Sequence, residues 1–283
     1  MATFFNQATL SYSGGTVNSN ITTGEILEVL AATKTAVYDR YAPGSDITYA
    51  VNIVNSGTIA FTGLTVTDDL GAYAFGTTTL QPLDYVDGSI RYFIDGVLQP
   101  APTVTAGPPL VISGINVPAS GTATILYAAR ANTFAPQDVE GTIVNTVTIS
   151  GGGITPLTAT ETVSAEAEPR LTITKSVSPT TVTENGQLTY TFVIQNTGNV
   201  LADATDAVGV TDTFDPILTG LTVTYNGTPW TSPASYTYNE ATGLFSTAAG
   251  SITVPAATYT QDPTTGAWVV DPGVAVLTVT GTI

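Results

Sequence analysis

The sequence predicts an all-β protein that consists of two tandem β-sandwiches. Three observations indicate this fold class: a composition that favours strands and turns, segments in which apolar and polar residues alternate, and an internal repeat of long period. The chain has 283 residues, which is enough for two domains of ordinary size. It contains 27 Gly and 17 Pro, and charged residues make up only 10% of it, so strands and turns are favoured over solvated helices.

The alternation of apolar and polar residues identifies individual strands. It is clearest in Ile47–Ile53 and in Leu188–Ile194, where every second residue is large and apolar, as in a half-buried strand. Short strands of this kind, separated by turns that contain Gly, Asn or Pro, are typical of antiparallel sandwiches of immunoglobulin type. No convincing amphipathic helix is visible.

The two predicted sandwiches are related by the internal repeat. Ala32–Gly57 matches Ile173–Gly198 at an offset of 175 − 34 = 141 residues. Further matches pair Leu64–Asp68 with Val208–Asp212, and Ala123–Leu126 with Val274–Leu277. Because the matched segments follow in the same order, they indicate tandem domains rather than a short-period solenoid. We predict an N-terminal extension over residues 1–24, a first sandwich (domain 1) over residues 25–166 and a second (domain 2) over residues 167–283.

The N-terminal extension contains a segment that resembles the last strand of domain 1. Thr3–Ser11 matches Thr142–Ser150 at an offset of 145 − 6 = 139 residues. Domain 2 reaches Ile283 without its own copy, so we expect its sandwich to lack the closing strand. Such a sandwich exposes a sheet edge, which a strand donated by another copy can fill. The donor strand would present Phe4, Asn6, Ala8 and Leu10, which share the parity of Ile143, Asn145, Val147 and Ile149.

Donation of this kind joins two different surfaces of the subunit, so it generates an open filament rather than a closed ring. The sequence therefore predicts a head-to-tail homopolymer whose partners are other copies of the chain. Two alternatives stay open. The N-terminal strand folds back into domain 2 of its own chain, which roughly 22 linking residues allow by reach, or it is disordered beside a truncated second domain.

The composition excludes several classes of function. The net charge of −16 disfavours nucleic acid and anionic membranes as partners. No apolar run approaches the ~18 residues that a membrane helix requires, so we expect no membrane insertion. The chain has no Cys and no His, which removes disulfides and the usual thiol or His-based catalytic sets. We expect no enzyme activity, no cofactor and no metal.

Each predicted domain directs a small set of polar residues toward its core. The chain has only two lysines, Lys34 and Lys175, and the repeat places them at equivalent positions. Lys175 shares the parity of its apolar neighbours on the first strand of domain 2. Asn145 shares parity with the apolar residues of the closing strand, and Asp68 and its counterpart Asp212 share parity with the valines that precede them.

This pattern resembles the Gram-positive pilin and adhesin domains that form spontaneous Lys–Asn isopeptide bonds. The resemblance implies that a buried, neutral Lys amine attacks an Asn side-chain amide while a protonated Asp polarises the amide carbonyl. A structural alternative gives the same pattern: the Asp caps a turn, or the Lys and Asp form an ion pair beside the Asn. The expected sets are Lys34, Asn145 and the autocatalytic Asp68 within domain 1, and Lys175, the autocatalytic Asp212 and Asn6 of the next subunit at domain 2.

The motifs of the repeat carry a second resemblance. The segments from Lys34 through Asn55–Gly57, and from Lys175 through Asn196–Gly198, each followed by Val-Thr-Asp, resemble the repeat domain of unknown function found in many bacterial and archaeal surface proteins. The resemblance covers both repeats and weakens over residues 213–272. It implies a sandwich fold and a fibrous or cell-surface setting without enzymatic activity.

We therefore expect a structural subunit of a self-assembling filament, outside the cell on a cell or spore surface. Residues 1–7 show no basic n-region and no apolar h-region, so no secretory signal peptide is recognisable. Either the signal lies outside this sequence, or the protein is released by an unusual route such as cell lysis.

An alternative function is a surface adhesin that recognises a glycan or a host protein through domain 2. Four aromatic residues without clear counterparts in domain 1 would form the binding face, although core packing is their commoner role. Three acidic residues surround a loop that offers oxygen ligands to Ca²⁺, but solvated loop acids are the commoner interpretation. The aromatic residues are Trp230, Tyr236, Tyr238 and Trp268, and the acidic ones are Asp203, Asp206 and Asp215.

Overall fold

A computed structural model describes residues 2–283, except for the side chains of Ala2 and Ile26, and confirms the predicted all-β sandwich fold. The one helical element among the described residues is a 3₁₀ turn, Ala204–Asp206. The strands of the N-terminal extension are β1 (Ala2–Asn6), β2 (Thr9–Tyr12), β3 (Gly15–Asn18) and β4 (Thr22–Ile26).

Domain 1 is a sandwich of two sheets around one apolar core. Its strands are β5 (Leu30–Ala36), β6 (Arg40–Tyr41), β7 (Asp46–Asn55), β8 (Phe61–Asp68), β9 (Tyr73–Phe75), β10 (Thr78–Leu80), β11 (Leu83–Tyr85), β12 (Arg91–Ile94), β13 (Val97–Leu98), β14 (Thr103–Ala106), β15 (Leu110–Val117), β16 (Thr122–Ala131), β17 (Thr142–Ser150) and β18 (Leu157–Ala165). One sheet has the strand order β13-β12-β16-β7-β5, with β11 also paired to β16, and the other has the order β14-β15-β8-β17-β18-β6.

Domain 2 repeats this arrangement around a separate core. Its strands are β19 (Leu171–Ser178), β20 (Gln187–Asn196), β21 (Thr211–Thr213), β22 (Thr219–Tyr225), β23 (Thr228–Trp230), β24 (Tyr236–Asn239), β25 (Leu244–Thr247), β26 (Thr258–Gln261), β27 (Trp268–Asp271) and β28 (Gly273–Thr282). One sheet has the order β19-β20-β28-β22-β23 and the other the order β21-β25-β24.

Strand registers show which elements of the two domains correspond. Asp68 lies opposite Leu110 where β8 pairs with β15, and Asp212 lies opposite Phe245 where β21 pairs with β25. The strand β21 is therefore the counterpart of β8. In domain 1, β8 is flanked by β15 and by β17, whereas within residues 2–283 β21 pairs with β25 alone. One edge of β21 is thus unpaired, at the place where β17 lies in domain 1.

The same difference leaves one face of domain 2 uncovered. In domain 1, the hairpin β17–β18 closes the sandwich, and Val163 of β18 is fully buried. The strand β19, which corresponds to β5, has no such cover among the described residues, and Ile173 on it is 53% exposed. An apolar strand face and a free sheet edge therefore lie side by side, which is an unfavourable surface for a soluble subunit.

The N-terminal extension is itself a hairpin, and it lies outside both sandwiches. β1 pairs with β4 and β2 pairs with β3, and no other strand among the described residues pairs with them. Asn6 lies opposite Thr22, as Asn145 lies opposite Glu161. The offsets 145 − 6 and 161 − 22 are both 139, so the register of β1–β4 is that of β17–β18.

The structure therefore extends the predicted donor strand to a two-stranded element. Its last strand, β4, ends at Ile26, two residues beyond the predicted boundary at residue 24. We call residues 2–26 the donor hairpin from here on.

One sequence match is wrong by one residue. Ala123 of β16 lies opposite Ile53, and Ala275 of β28 lies opposite Ile194, so Ala123 corresponds to Ala275 and not to Val274. Both segments are apolar at nearly every position, and such a strand gives no pattern that fixes its register. The slip matters because it changes which side chain corresponds to Tyr127.

The two domains contact each other at two places. The Asn199 side-chain amide of domain 2 donates to the carbonyl of Gln137 at 3.1 Å, and the hairpin β26–β27 extends from domain 2 onto domain 1. The backbone N–H of Trp268 donates to the carbonyl of Thr133 at 2.8 Å. The Gln261 side-chain amide donates to the Tyr73 hydroxyl at 2.9 Å. We call residues 258–271 the clamp hairpin.

Candidate functional site

In domain 1 the predicted polar residues meet in one buried cluster. Lys34 from β5, Asp68 from the end of β8 and Asn145 from β17 are all buried. The Lys34 ammonium donates to Asp68 Oδ2 at 2.9 Å, and both side chains are fully buried. Two further groups donate to the same carboxylate: the backbone N–H of Leu70, at 2.7 Å from Oδ1, and the Tyr127 hydroxyl. The parity argument thus predicted the burial of all three residues.

Asn145 is held so that its side-chain carbonyl accepts a backbone donor. The N–H of Gly71 lies 3.2 Å from Asn145 Oδ1. The amide faces the hydroxyls of Tyr49 and Tyr127, yet its Nδ2 nitrogen makes no hydrogen bond of ordinary geometry. The backbone donor at Oδ1 polarises the Asn145 carbonyl, which makes its carbon more open to attack by a nucleophile.

Burial shifts the pKa values of Lys34 and Tyr127 in this cluster. It lowers the pKa of Lys34, and the attraction of Asp68 offsets only part of that effect. Burial also raises the pKa of Tyr127, with the Asp68 charge acting in the same direction, so the phenol stays protonated and can donate. The cover comes from β18, where Glu161 Oε1 accepts the backbone N–H of Ala36, 3.2 Å away on β5.

Domain 2 holds the matching Lys–Asp pair in a more open setting. Lys175 Nζ lies 2.5 Å from Asp212 Oδ2, but the Lys175 side chain is 41% exposed and that of Asp212 is 18% exposed. The Lys175 ammonium lies 4.4 Å from the ring centre of Tyr190, 5.6 Å from that of Phe192 and 5.5 Å from that of Phe214. The Lys175 amine therefore lies among three rings and one carboxylate while remaining open to solvent.

The two clusters also differ in one aromatic residue. Tyr127 lies opposite Tyr49, and Val279 lies opposite Tyr190, so Asp212 has no counterpart of the Tyr127 hydroxyl. Sequence reasoning missed Tyr49 and Tyr127, although the repeat matches Tyr49 with Tyr190 and gave a signal for the first of them.

The structure does not bring Asn6 to either lysine. Asn6 lies on the exposed donor hairpin, together with the other predicted donor residues Phe4, Ala8 and Leu10. Within one chain, domain 1 brings its three predicted residues into one buried cluster, whereas domain 2 has the Lys175–Asp212 pair alone among the described residues.

The Asn-x-Gly motif of the repeat has a structural role in both domains. The buried Asn55 side chain donates to the carbonyls of Ile59 and Pro118 and accepts the N–H of Gly57. Asn196 makes the same bond to the N–H of Gly198 and likewise donates to two carbonyls. The motif therefore satisfies backbone groups of two loops at one end of each sandwich.

The acidic and aromatic residues of domain 2 take structural positions. Asp203 and Asp206 form a capping box at the 3₁₀ turn, and hydrogen bonds from Thr205 lower the pKa of Asp203. Residues 2–283 contain no group of three acidic side chains arranged to hold a metal ion. The four aromatic residues lie at different places: Trp230 stacks on Tyr225, Tyr236 packs on Phe245, Tyr238 donates to Leu218, and Trp268 lies on the clamp hairpin.

Comparisons with known proteins give distant similarities. Neither a protein-family model nor a curated protein matches the chain at a significant level, so the resemblance to the surface repeat domain stays a prediction. The pilus backbone RrgB from Streptococcus pneumoniae is 13% identical, with a TM-score of 0.36 over 86% of this chain and 55% of RrgB. BcpA, the major pilin subunit of Bacillus cereus, is 11% identical, with a TM-score of 0.36 over 96% of this chain and 73% of BcpA.

A third solved structure, the RrgA Jo.In complex, is 9% identical, with a TM-score of 0.38 over 56% of this chain and 82% of that one. The chain spans about half the length of RrgB. These likenesses are too distant to carry a functional conclusion. In the part of the chain that the structure describes, no helix has the length and apolar character needed to cross a membrane.

Proposed function

We propose that the chain is a structural subunit of an extracellular filament and that it polymerises head to tail. The donor hairpin of one subunit fills the open edge of domain 2 in the next. The observation that carries the proposal is the correspondence between two surfaces: the free edge of β21 lies where β17 lies in domain 1, and the β1–β4 part of the exposed donor hairpin has the register of β17–β18. The β2–β3 part is shifted by one residue.

The proposal fixes the register of the docked strand. In domain 1, Val147 lies opposite Asp68 and Ile149 lies opposite Val66. The 139-residue offset of the hairpin therefore places Ala8 opposite Asp212. Main-chain hydrogen bonds along this edge would supply affinity, and the alternate side chains would supply specificity.

The apolar face of the donor hairpin has the form of a core-facing surface. Phe4 lies opposite Gly24, and a Cβ at Gly24 would collide with the Phe4 ring. In domain 1 the corresponding pair is Ile143 and Val163. The donor hairpin therefore has one large and one very small residue where domain 1 has two of medium size, so the combined side-chain volume that would enter a core stays similar.

A covalent bond between subunits completes the proposal. Asn6 occupies the position of Asn145, so docking would bring its amide to Lys175 and Asp212 of the neighbour. The amine of Lys175 attacks the side-chain carbon of Asn6, a new C–N bond forms, the bond to the amide nitrogen breaks, and ammonia leaves. Asp212 takes the proton from the amine and passes it to the leaving nitrogen, so it is unchanged at the end.

The first experiment tests donation. Phe4→Asp removes an apolar anchor worth about 1.5–3 kcal/mol and buries a charge, so we expect subunit affinity to fall more than about tenfold. Light scattering and negative-stain microscopy of concentrated protein measure assembly. Phe5→Asp is the matched control, because Phe5 lies on the outer face of the hairpin and is 69% exposed. Equal filament formation by both variants, or a wild-type chain that stays monomeric, would contradict donation.

The second experiment tests the covalent bond. Lys175→Arg keeps the positive charge beside Asp212 but has no primary amine, so we expect filaments that form and then fall to single subunits in hot detergent. Wild-type filaments should resist the same treatment, and intact mass should show one ammonia lost for each bond. If wild-type filaments also dissociate, the bond between subunits is ruled out while donation stands.

A further inference from the structure

We propose that docking of the donor hairpin is the switch that makes the Lys175 site reactive. In the free subunit the Lys175 site is open to water, and the incoming hairpin converts it to the closed form that the Lys34 site already has. This inference rests on the proposed function and concerns the regulation of the same site.

The molecule contains both states of one site. Each site is built on corresponding strands: β5 and β19 carry the lysine, and β8 and β21 carry the aspartate. The side chain of Lys34 is fully buried and that of Lys175 is 41% exposed. The hairpin β17–β18 covers the Lys34 site. Its counterpart is the donor hairpin, which does not cover the Lys175 site within one chain.

The open site differs from the closed one in its access to water rather than in its kinds of partner, because Asp68 and the rings of Tyr49 and Tyr127 likewise lie beside Lys34 Nζ. Asp212 and the rings of Tyr190, Phe192 and Phe214 surround Lys175 Nζ, and water reaches its side chain. A protonated amine has no lone pair, so it is not a nucleophile.

The closed site opposes the ammonium form. Burial lowers the pKa of Lys34 even though three carboxylates, those of Asp68, Asp69 and Glu161, act in the other direction. The docked donor hairpin would carry Thr22 where domain 1 has Glu161, so it would add cover without adding a carboxylate. Closure would therefore bury Lys175 without the Glu161 carboxylate that lies near Lys34.

The chemistry stays balanced under this control. When the hairpin excludes water, the Lys175 ammonium gives one proton to Asp212, and the neutral amine bonds to the Asn6 carbon. The amine gives up a second proton as it becomes the amide N–H, and the Asn6 nitrogen takes both protons as its bond to carbon breaks and leaves as ammonium, so Asp212 is unchanged at the end. No oxidant or cofactor takes part. A subunit that has not docked would keep both groups unreacted, so only correctly registered contacts would become permanent.

Amine labelling tests the switch, because Lys34, Lys175 and the α-amino group are the only primary amines of the chain. Two full-length variants give the two states: Phe4→Asp, which does not donate, and Asn6→Ala, which docks without a bond. After brief acetylation, digestion and mass spectrometry, we expect Lys175 to label about tenfold more slowly in assembled Asn6→Ala than in monomeric Phe4→Asp. A small free amine added to each reaction serves as the reference, and Lys34 should stay unlabelled in both.

Each outcome decides a different point. If Asn6→Ala assembles but Lys175 labels as fast as in the monomer, docking does not close the site, and the switch is wrong while donation stands. If Asn6→Ala stays monomeric at concentrations where the wild type assembles, docking does not precede the bond, and the switch is wrong while assembly of the wild type stands. A wild type that also stays monomeric contradicts the proposed function itself.

Discussion

At one end of each sandwich, a single buried Asn side chain holds backbone groups of two loops together. Asn55 uses its amide nitrogen to bond two carbonyls, at 2.8 Å and 2.7 Å, and its oxygen to accept a backbone N–H at 2.9 Å. These bonds tie the loop after β7 to the turn before β16. No other side chain of that size offers two donors and an acceptor in this geometry.

Asn55→Asp should therefore destabilise domain 1. The substitution keeps the shape and the acceptor, but it removes both donors and leaves a charge where only 1% of the residue is exposed. We expect a loss of at least about 2 kcal/mol in the free energy of unfolding, because two buried carbonyls lose their partner. Urea denaturation followed by circular dichroism measures it.

Asn52→Asp is the matched control for this substitution. It lies on the same strand, and its Oδ1 only accepts the Thr124 hydroxyl, which a carboxylate also does. We expect it to change the stability by less than about 0.5 kcal/mol. Equal losses for Asn52→Asp and Asn55→Asp would show that the two donated bonds contribute nothing specific.

At the scale of strands, the sequence predicted inward and outward faces well and predicted strand partners less well. Alternation placed Lys34, Asp68 and Asn145 in the core, because successive side chains of a strand point to opposite faces whatever the strand pairs with. Alternation could not show that Tyr127 corresponds to Val279, because an apolar run fits its sheet equally well after a shift of one residue.

The second strand of the donor hairpin shows another limit. β4 carries Thr22 and Gly24 where β18 carries Glu161 and Val163, so little in its composition marks it as a copy. The likeness lies in the register, which backbone pairing creates and side chains only partly encode. The open setting of Lys175 also follows from strands that are far apart in sequence, and alternation alone could not distinguish it from Lys34.

At the scale of the whole molecule, the junction between the two domains is braced on one side. The clamp hairpin interrupts domain 2 between Val254 and β28, where domain 1 has only the short turn between β15 and β16. In the proposed filament, domain 1 of one subunit would follow domain 2 of another, and domain 1 has no clamp hairpin to reach back. Stiff junctions within subunits would therefore alternate with freer junctions between them.

The contact at the tip of the clamp hairpin makes this testable in the monomer. Gly266 lies against Leu80 and Phe75 of domain 1 at φ +76°, and a Cβ there would collide with Leu80. Gly266→Ala should therefore loosen the junction and speed tryptic cleavage after Arg170, which lies in the linker in ion pairs with Glu166 and Glu168. Cleavage after the other three arginines should keep its wild-type rate.

Gly227→Ala separates the collision from backbone strain. Gly227 has the same φ of +76° in the turn of domain 2 between β22 and β23, and a Cβ there meets nothing within 4 Å. Both variants carry the same left-handed strain, so only the lost contact with domain 1 distinguishes them. Faster cleavage after Arg170 in Gly266→Ala alone would establish the clamp. The same rate in both variants would mean that the clamp hairpin does not hold the two domains together.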